Sequence, residues 1–185
     1  MATSADLPAA PGWRGVNHLA LVTPDMDATV RFYAGVLGMP LVTTLMAGPM
    51  RHYFFEIAPG NTVAFFEIPE AETFRKGAGA PGPHPVQLDH ISFNVSDEHA
   101  LHLLAARIEA AGSEVTKVVD HGVMKSIYFT DNNGLALEAS FWVNDGTGRP
   151  YDPTDETLFE DPDPVPAVAE LAHGGVSTMP TTTLV

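Results

Sequence analysis

Two histidines and two glutamates recur at matching intervals in this chain. Each lies in a short apolar stretch with strand character: His18 in 16–22, Glu67 in 63–68, His90 in 88–95 and Glu138 in 135–140. The order is His, Glu, His, Glu, with 49 residues from His18 to Glu67 and 48 from His90 to Glu138. Imidazole and carboxylate together suit divalent Fe, Mn, Ni, Co or Zn. A pair of them that repeats predicts a metal held between two copies of one module.

The intervening sequence repeats in the same sense. A strand at about 16–22 is followed by Thr23-Pro24-Asp25, a helix start. Met26, Val30, Phe32, Tyr33, Val36 and Leu37 then fall at helical spacing until Gly38. Strands are predicted at 40–46, 51–57 and 62–68, the last two joined by the turn Pro59-Gly60-Asn61. Residues 69–86 are rich in Gly and Pro and read as a linker. The pattern restarts with a strand at 87–95 and with Ser96-Asp97-Glu98, whose side chains suit a helix N-terminus. That helix runs to about Ala111 and stops at Gly112. Strands follow near 115–119, 125–130 and 135–141, with Asp131-Asn132-Asn133-Gly134 as the last turn. The prediction is an α+β domain of two tandem βαβββ modules. A loose arm covers 1–14, module one about 15–68 and module two about 87–143. Residues 144–185 hold eight acids and one base, Arg149. Five prolines between Pro150 and Pro166 leave room there for one short helix, over Val165–Ala172.

Charge and composition close off other classes. A formal charge of −14 repels a phosphate backbone, so nucleic acid is not expected as a partner. No cysteine is present, which removes disulfides, thiolate ligands and a cysteine nucleophile and fits a cytoplasmic protein. No apolar run reaches the roughly 18 residues that span a bilayer, and residues 1–11 do not read as a secretory signal.

Side chains alternate along a strand. His18 therefore shares a face with Ala20 and Val22, Glu67 with Val63 and Phe65, His90 with Ser92 and Asn94, and Glu138 with Ala136 and Ser140. The other faces, carrying Leu19, Leu21, Phe66, Ile68, Ile91, Phe93, Val95, Leu135, Leu137 and Ala139, are apolar and suit packing against the two helices. On this reading all four ligand candidates point into one cleft. Burying a lone His or Glu is costly, so four of them in separate strands argue for a common ion.

Residues 15–142 resemble the vicinal oxygen chelate superfamily, which includes glyoxalase I, extradiol dioxygenases, fosfomycin-resistance proteins, methylmalonyl-CoA epimerase and bleomycin-binding proteins. The resemblance rests on three stretches. Asn17–Val22 followed by Phe32–Met39 is similar to the family's opening motif. Leu88-Asp89-His90-Ile91-Ser92-Phe93 is similar to its second-module opening. Asp120–Val123, Ser126–Asp131, Gly134 and Leu137-Glu138 are similar to its closing hairpin. The resemblance implies a curved eight-stranded sheet with a divalent metal in its cleft, held by His18, Glu67, His90 and Glu138.

Two reaction classes compete within this resemblance. An extradiol dioxygenase would use Fe(II) or Mn(II) on His18, His90 and Glu138, with open positions for a catechol-like substrate and O2. His121 and Tyr128 would then be catalytic, because the stretch 120–128 is similar to the one that supplies a substrate-binding His and Tyr in those enzymes. Glu67 would complete the ligand set or act as a nearby base. A glyoxalase- or epimerase-type isomerase would instead use all four residues on Ni(II), Co(II) or Zn(II). Val22 and Ala71 stand where a glutathione-handling enzyme is expected to carry a basic residue and an Asn. A non-catalytic drug-binding module is the third class. Phe65, Tyr53 or Phe54, and Trp142 are candidate walls for an aromatic or hydrophobic substrate, with His52 near the mouth and His84 a further acid–base candidate. His99, His102 and His173 are expected to be solvated. A homodimer is the expected assembly.

Overall fold

The computed structural model describes residues 13–73, 88–149, 152 and 154–177. Two units emerge, one over Arg14–Val143 and one formed by the terminal segments. In the first unit the eight expected strands are present as two four-stranded sheets. The first sheet comprises β1 (His18–Thr23), β2 (Leu41–Ala47), β3 (Met50–Ala58) and β4 (Asn61–Glu67) in the order β1-β4-β3-β2. The second comprises β5 (Ile91–Asn94), β6 (Val119–Asp120), β7 (Met124–Thr130) and β8 (Ala136–Trp142) in the order β5-β8-β7-β6. In each, the first and last strands of the module pair in parallel and the other pairs are antiparallel. The parallel pair requires a crossover, which the module's helix supplies.

Both helices start as the sequence predicts. Asp25 and Asp97 cap α1 (Met26–Val30) and α2 (Glu98–Ala110), each carboxylate accepting from the backbone N–H three residues on, at 2.9 Å. The first helix does not continue as regular α structure. Arg31–Val36 form a π-helical turn in which Leu37 N donates to Phe32 O at 2.9 Å. The widened turn accommodates two adjacent aromatic residues, Phe32 and Tyr33, both buried. Gly38 then reverses the chain at φ 75°, a conformation that a side chain would strain.

One apolar core joins the modules. Tyr33, Phe55, Val63 and Phe65 of the first meet Phe93, Leu101, Ile108, Ile127, Phe129 and Leu137 of the second. The helix-bearing faces of both sheets thus share a core within the chain. Polar contacts reinforce the junction. Arg107 donates to the carbonyls of Gly35 and Val36, both at 3.0 Å. Thr23 Oγ1 donates to Asn133 Oδ1 at 3.0 Å. The buried Tyr33 hydroxyl donates to Asp131 Oδ2 at 3.1 Å. Asp131 also accepts from the backbone N–H groups of Asn133 and Leu135, so one carboxylate organises the β7–β8 turn and ties it to the other module.

Two predicted strands differ in extent. The strand expected at 115–119 is reduced to a single bridge, Val115 to Phe129, plus the two-residue β6. The strand expected from 87 begins at Ile91. The expected linker falls largely on 74–87, and it, His84 and the arm at 1–12 lie outside the described residues. In the second unit α3 spans Pro166–Ala172, with proline in its first turn where its missing N–H costs nothing. The acidic stretch before it is built from short aspartate-capped turns, at Asp145, Asp152, Asp155 and Asp161. Among the described residues no helix is long and apolar enough to cross a membrane.

Replacing Tyr33 by Phe keeps the ring and removes the inter-module hydrogen bond to a buried carboxylate. The expected loss is about 1–3 kcal/mol of unfolding free energy in urea titration.

Candidate metal centre

The second sheet gathers most of the predicted residues. Ser92 registers with Glu138 across the parallel pair, and Tyr128 registers with Glu138 across the antiparallel one. All three therefore lie on the face away from the helices, together with Ser126 and Ser140. His90, immediately before β5, brings Nε2 to 3.0 Å from Glu138 Oε2. Its Nδ1 lies 2.6 Å from Asp89 Oδ2. The Tyr128 hydroxyl lies 2.8 Å from Nε2 of His121, and Tyr128 stands beside Glu138 in the strand register. Two hydrogen-bonded groups, Asp89–His90–Glu138 and Tyr128–His121, thus lie side by side on the open face of the sheet.

Glu138 is the buried member, 4% exposed. Burial opposes its ionisation, but the hydroxyls of Ser126, Ser92 and Tyr128 and the His90 ring outweigh it and hold the carboxyl below its ordinary range. Ser126 Oγ is itself fully buried and lacks a hydrogen bond of good geometry, so it supports the carboxylate by proximity. Burial, then the bond to Glu138, raises the Tyr128 phenol. Tyr128 is therefore a proton donor at neutral pH.

The first sheet offers a different open face. His18 registers with Thr62, Ala20 with Ala64 and Val22 with Phe66. His52 registers with Phe66, and Phe54 with Ala64. His18, His52, Phe54 and Phe66 therefore share one side. The His52 ring stacks on Phe66 at 3.6 Å, and Phe54 lies 5.7 Å from His18 and 4.4 Å from His52, centroid to centroid. Burial, with His18 as a minor contributor, favours the neutral form of His52, whose Nε2 is buried without a partner. His18 is exposed, and its Nδ1 lies 2.8 Å from Asn17 Oδ1.

Glu67 requires a correction. Registration with Thr23 puts it on the helix-bearing face, with the buried Val63 and Phe65, and not with His18. Its Oε1 accepts from Met26 N at 2.9 Å, at the start of α1, and its Oε2 pairs with Arg51. The error lies in assigning faces. Val63 and Phe65 are core residues, and Phe66, expected in the core, is on the open side. Phe65 and Tyr53 are likewise on the core side and are not cleft walls, whereas Phe54 faces outward. The first-module counterpart of Glu138 is Ala64. Each pairs with the residue two positions after its module's histidine, Ser92 in one case and Ala20 in the other. His99 and His102 are exposed on α2, and His173 lies at the end of α3 with Nδ1 2.7 Å from Ala169 O.

Among the described residues of a single chain, no three His, Asp or Glu side chains converge as ligands for one ion. The structure brings His90 and Glu138 together and does not bring His18 or Glu67 to them. The donor chemistry of the pair still suits a cation. An ionised Asp89 accepts only, so His90 Nδ1–H donates to it, and a neutral ring would then face the Glu138 carboxylate with its Nε2 lone pair. Two acceptors at 3.0 Å need a proton or a metal ion between them.

Residues 15–139 match the family described as the Glyoxalase/Bleomycin resistance protein/Dioxygenase superfamily. The chain belongs to this superfamily. A putative ring-cleaving dioxygenase, MhqA, from Bacillus subtilis is 28% identical over 137 residues, which are 65% of this chain and 41% of that protein. The chain thus spans about two-fifths of that relative's length. Among solved structures, a glyoxalase/bleomycin resistance protein/dioxygenase domain from Frankia sp. is similar with a TM-score of 0.59 at 24% identity. It covers 71% of this chain and 93% of that one. Lactoylglutathione lyase from Agrobacterium tumefaciens is similar at 0.51 and 23%, covering 71% and 96%. These likenesses support the superfamily fold and do not choose among its reactions.

Sequence reasoning gave no role to Asp89 and Asn17. The signal was present: a polar residue directly precedes each strand histidine.

The placement of Glu67 gives a test. Because hydrogen bonds from Met26 N and then from Arg51 hold its carboxyl below the ordinary glutamate value, its contribution is present above the unfolded-state pKa. That contribution is lost as pH falls through the folded-state pKa. Glu67→Gln should therefore lower urea stability at pH 7 by about 0.5–2 kcal/mol, with the difference from wild type shrinking in acid. Its metal affinity should stay at the wild-type level.

Proposed function

We propose that this chain is an extradiol-type dioxygenase of the superfamily, cleaving a catechol-like aromatic substrate with O2. The observation that carries the reading is the strand register that makes Ala64 the counterpart of Glu138. It puts an alanine where a second ligand matching Glu138 would stand and Glu67 on the opposite face, and so favours a two-histidine, one-carboxylate set over the four-ligand set of an isomerase. Similarity to a putative ring-cleaving dioxygenase supports the same choice.

His90 and Glu138 of one chain and His18 of a second copy would hold the ion, with Fe(II) or Mn(II) preferred. When bound, such an ion supplies a Lewis-acid and redox centre with open positions for two vicinal oxygens and O2. The second copy is argued from exposure. His18 lies on the open face of the first sheet, and the shared core occupies the opposite faces of both sheets. A homodimer that sets the first module of one copy over the second module of the other completes the site.

The remaining residues divide the work. Glu138, held ionised, attracts a cation and keeps Tyr128 oriented. Tyr128 donates to a phenolic oxygen of the substrate. His121, hydrogen-bonded to Tyr128 and exposed, passes protons between that hydroxyl and solvent. His52, Phe54 and Phe66 present flat faces that suit an aromatic ring and exclude water from one side of it.

Aerobic protein loaded with Fe(II) should convert catechols to yellow ring-cleaved products with matching O2 uptake. His90→Ala or Glu138→Ala should reduce this to background, and Tyr128→Phe should cost about 100-fold in kcat. Isomerisation of a thiohemiacetal with Ni(II) or Zn(II), without O2 uptake, would refute the reading.

Shared assembly has its own signature. His18→Ala and Glu138→Ala proteins, each inactive, should recover activity when co-refolded. About a quarter of wild-type activity is expected, since half the dimers are mixed and each mixed dimer has one intact site of two. No recovery refutes a site shared between two copies.

A further inference from the structure

The outer strands of the two sheets are not equivalent. β1, β5 and β6 end their sheets with six, four and two residues, and β2 with seven. Among the described residues β2 pairs with β3 alone, so its outer backbone N–H and C=O groups face solvent. Six of its seven residues are exposed, with Leu45 at 49% and Met46 at 64%. Long apolar edges are ordinarily blunted by charge. Residues 39–50 contain no Asp, Glu, Lys or Arg. In a chain of net charge −14, an uncharged strip is where a second copy approaches without repulsion.

The register of β2 limits how such a copy fits. A bulge between Leu41 and Thr43 leaves 43–47 as the regular stretch. Within it Thr43, Leu45 and Ala47 lie on the open face, opposite Phe54, His52 and Met50. Thr44 and Met46 lie on the other face, opposite Tyr53 and Arg51. An antiparallel copy related by a two-fold axis at Leu45 pairs Leu45 with Leu45, Thr44 with Met46, and Thr43 with Ala47. Each pair shares a face, as a continued sheet requires, and no pair sets like charges together.

We propose that β2 is a self-association edge, through which two copies of this chain pair antiparallel about Leu45 and join their first sheets into one of eight strands. The contact is isologous, so it closes at two copies. It uses the edge of the sheet and not its open face, and is therefore separate from the contact proposed to complete the metal site. A single pair of short strands is small beside the roughly 800 Å² per partner of a standard interface, so the association should depend on concentration.

The full chain has no cysteine, so an introduced one is its sole thiol. Mild oxidation of Leu45→Cys should give disulfide-linked dimers, because directly paired Cβ atoms lie about 4.5–5.5 Å apart. Thr44→Cys should not link to itself, since its counterpart is a diagonal neighbour about 7–8 Å away, but should link to Met46→Cys when the two are mixed. By light scattering, Leu45→Lys and Leu45→Glu should each show half the mass of the associated wild type, and an equal mixture should recover it. Leu45 is half exposed, so both variants should keep the wild-type circular dichroism spectrum. Linkage of Thr44→Cys as readily as Leu45→Cys would mean parallel or random contact and overturns the proposal. So does a Leu45→Cys thiol that reacts with a maleimide yet forms no disulfide. Wild-type mass in both charged variants overturns it as well, and leaves the metal-site reading untouched.

Discussion

A buried carboxylate facing an imidazole is the contact around which the open face of the second sheet is organised. Glu138 is almost fully covered, yet it is held in its charged form by hydroxyls from three neighbouring positions. Those positions are set by strand pairing and not by chain proximity: Ser92 registers with Glu138 from β5, and Tyr128 from β7. An ionised group in this setting is stable only while its partners stay in register. The three-strand ladder β5-β8-β7 is therefore the structural unit that makes the site, and the helices serve to hold its other face.

That other face explains the division between core and site. Leu137 and Ala139 alternate with Glu138 and lie in the core, as do Phe93 and Ile127 on the flanking strands. The apolar residues from both modules merge into one cluster, and Tyr33–Asp131 and Arg107 with the carbonyls of Gly35 and Val36 fasten the seam. Covering both helix-bearing faces inside one chain leaves the open faces without an intrachain requirement to meet. Burial of apolar area thus fixes the fold, and the polar faces are left to be specified by binding.

Much of this could be read from the sequence because alternation is a local property. The strands carrying His18, His90, Glu138 and Tyr128 have unambiguous apolar faces, so the side on which each residue projects followed from its neighbours. Both helix starts followed from single aspartates. Glu67 failed for a reason that counting residues cannot detect. The interval from His18 to Glu67 nearly equals that from His90 to Glu138, but the hairpins between them differ in length and bulge. The register of β1 with β4 then places Ala64, only 46 residues after His18, where Glu138 stands in the second module. In a run such as Val63-Ala64-Phe65-Phe66, apolar on both sides, the sequence does not say which face is core. The π-helical turn at Arg31–Val36 was hidden for a similar reason, since Phe32 and Tyr33 fit a helical stripe whether or not the turn widens.

The two modules have diverged from a common layout into unequal halves. In the second, the open face is polar, with Asp89–His90–Glu138 hydrogen-bonded beside the pair Tyr128–His121. In the first, the equivalent surface is largely aromatic, with His52 stacked on Phe66 and Phe54 beside His18, and Glu67 lies on the other side of the sheet. Glu67 is not idle there: it caps α1 and neutralises Arg51. Loss of a symmetric ligand has a clear chemical consequence. A cation held by four protein donors has little room for two substrate oxygens and a third reactant, whereas one held by three keeps a face open. Ala64, with Phe54, Phe66 and His52 around it, stands on the first sheet's open face where the second sheet carries Glu138, so the two open faces differ in chemistry although their strand orders match.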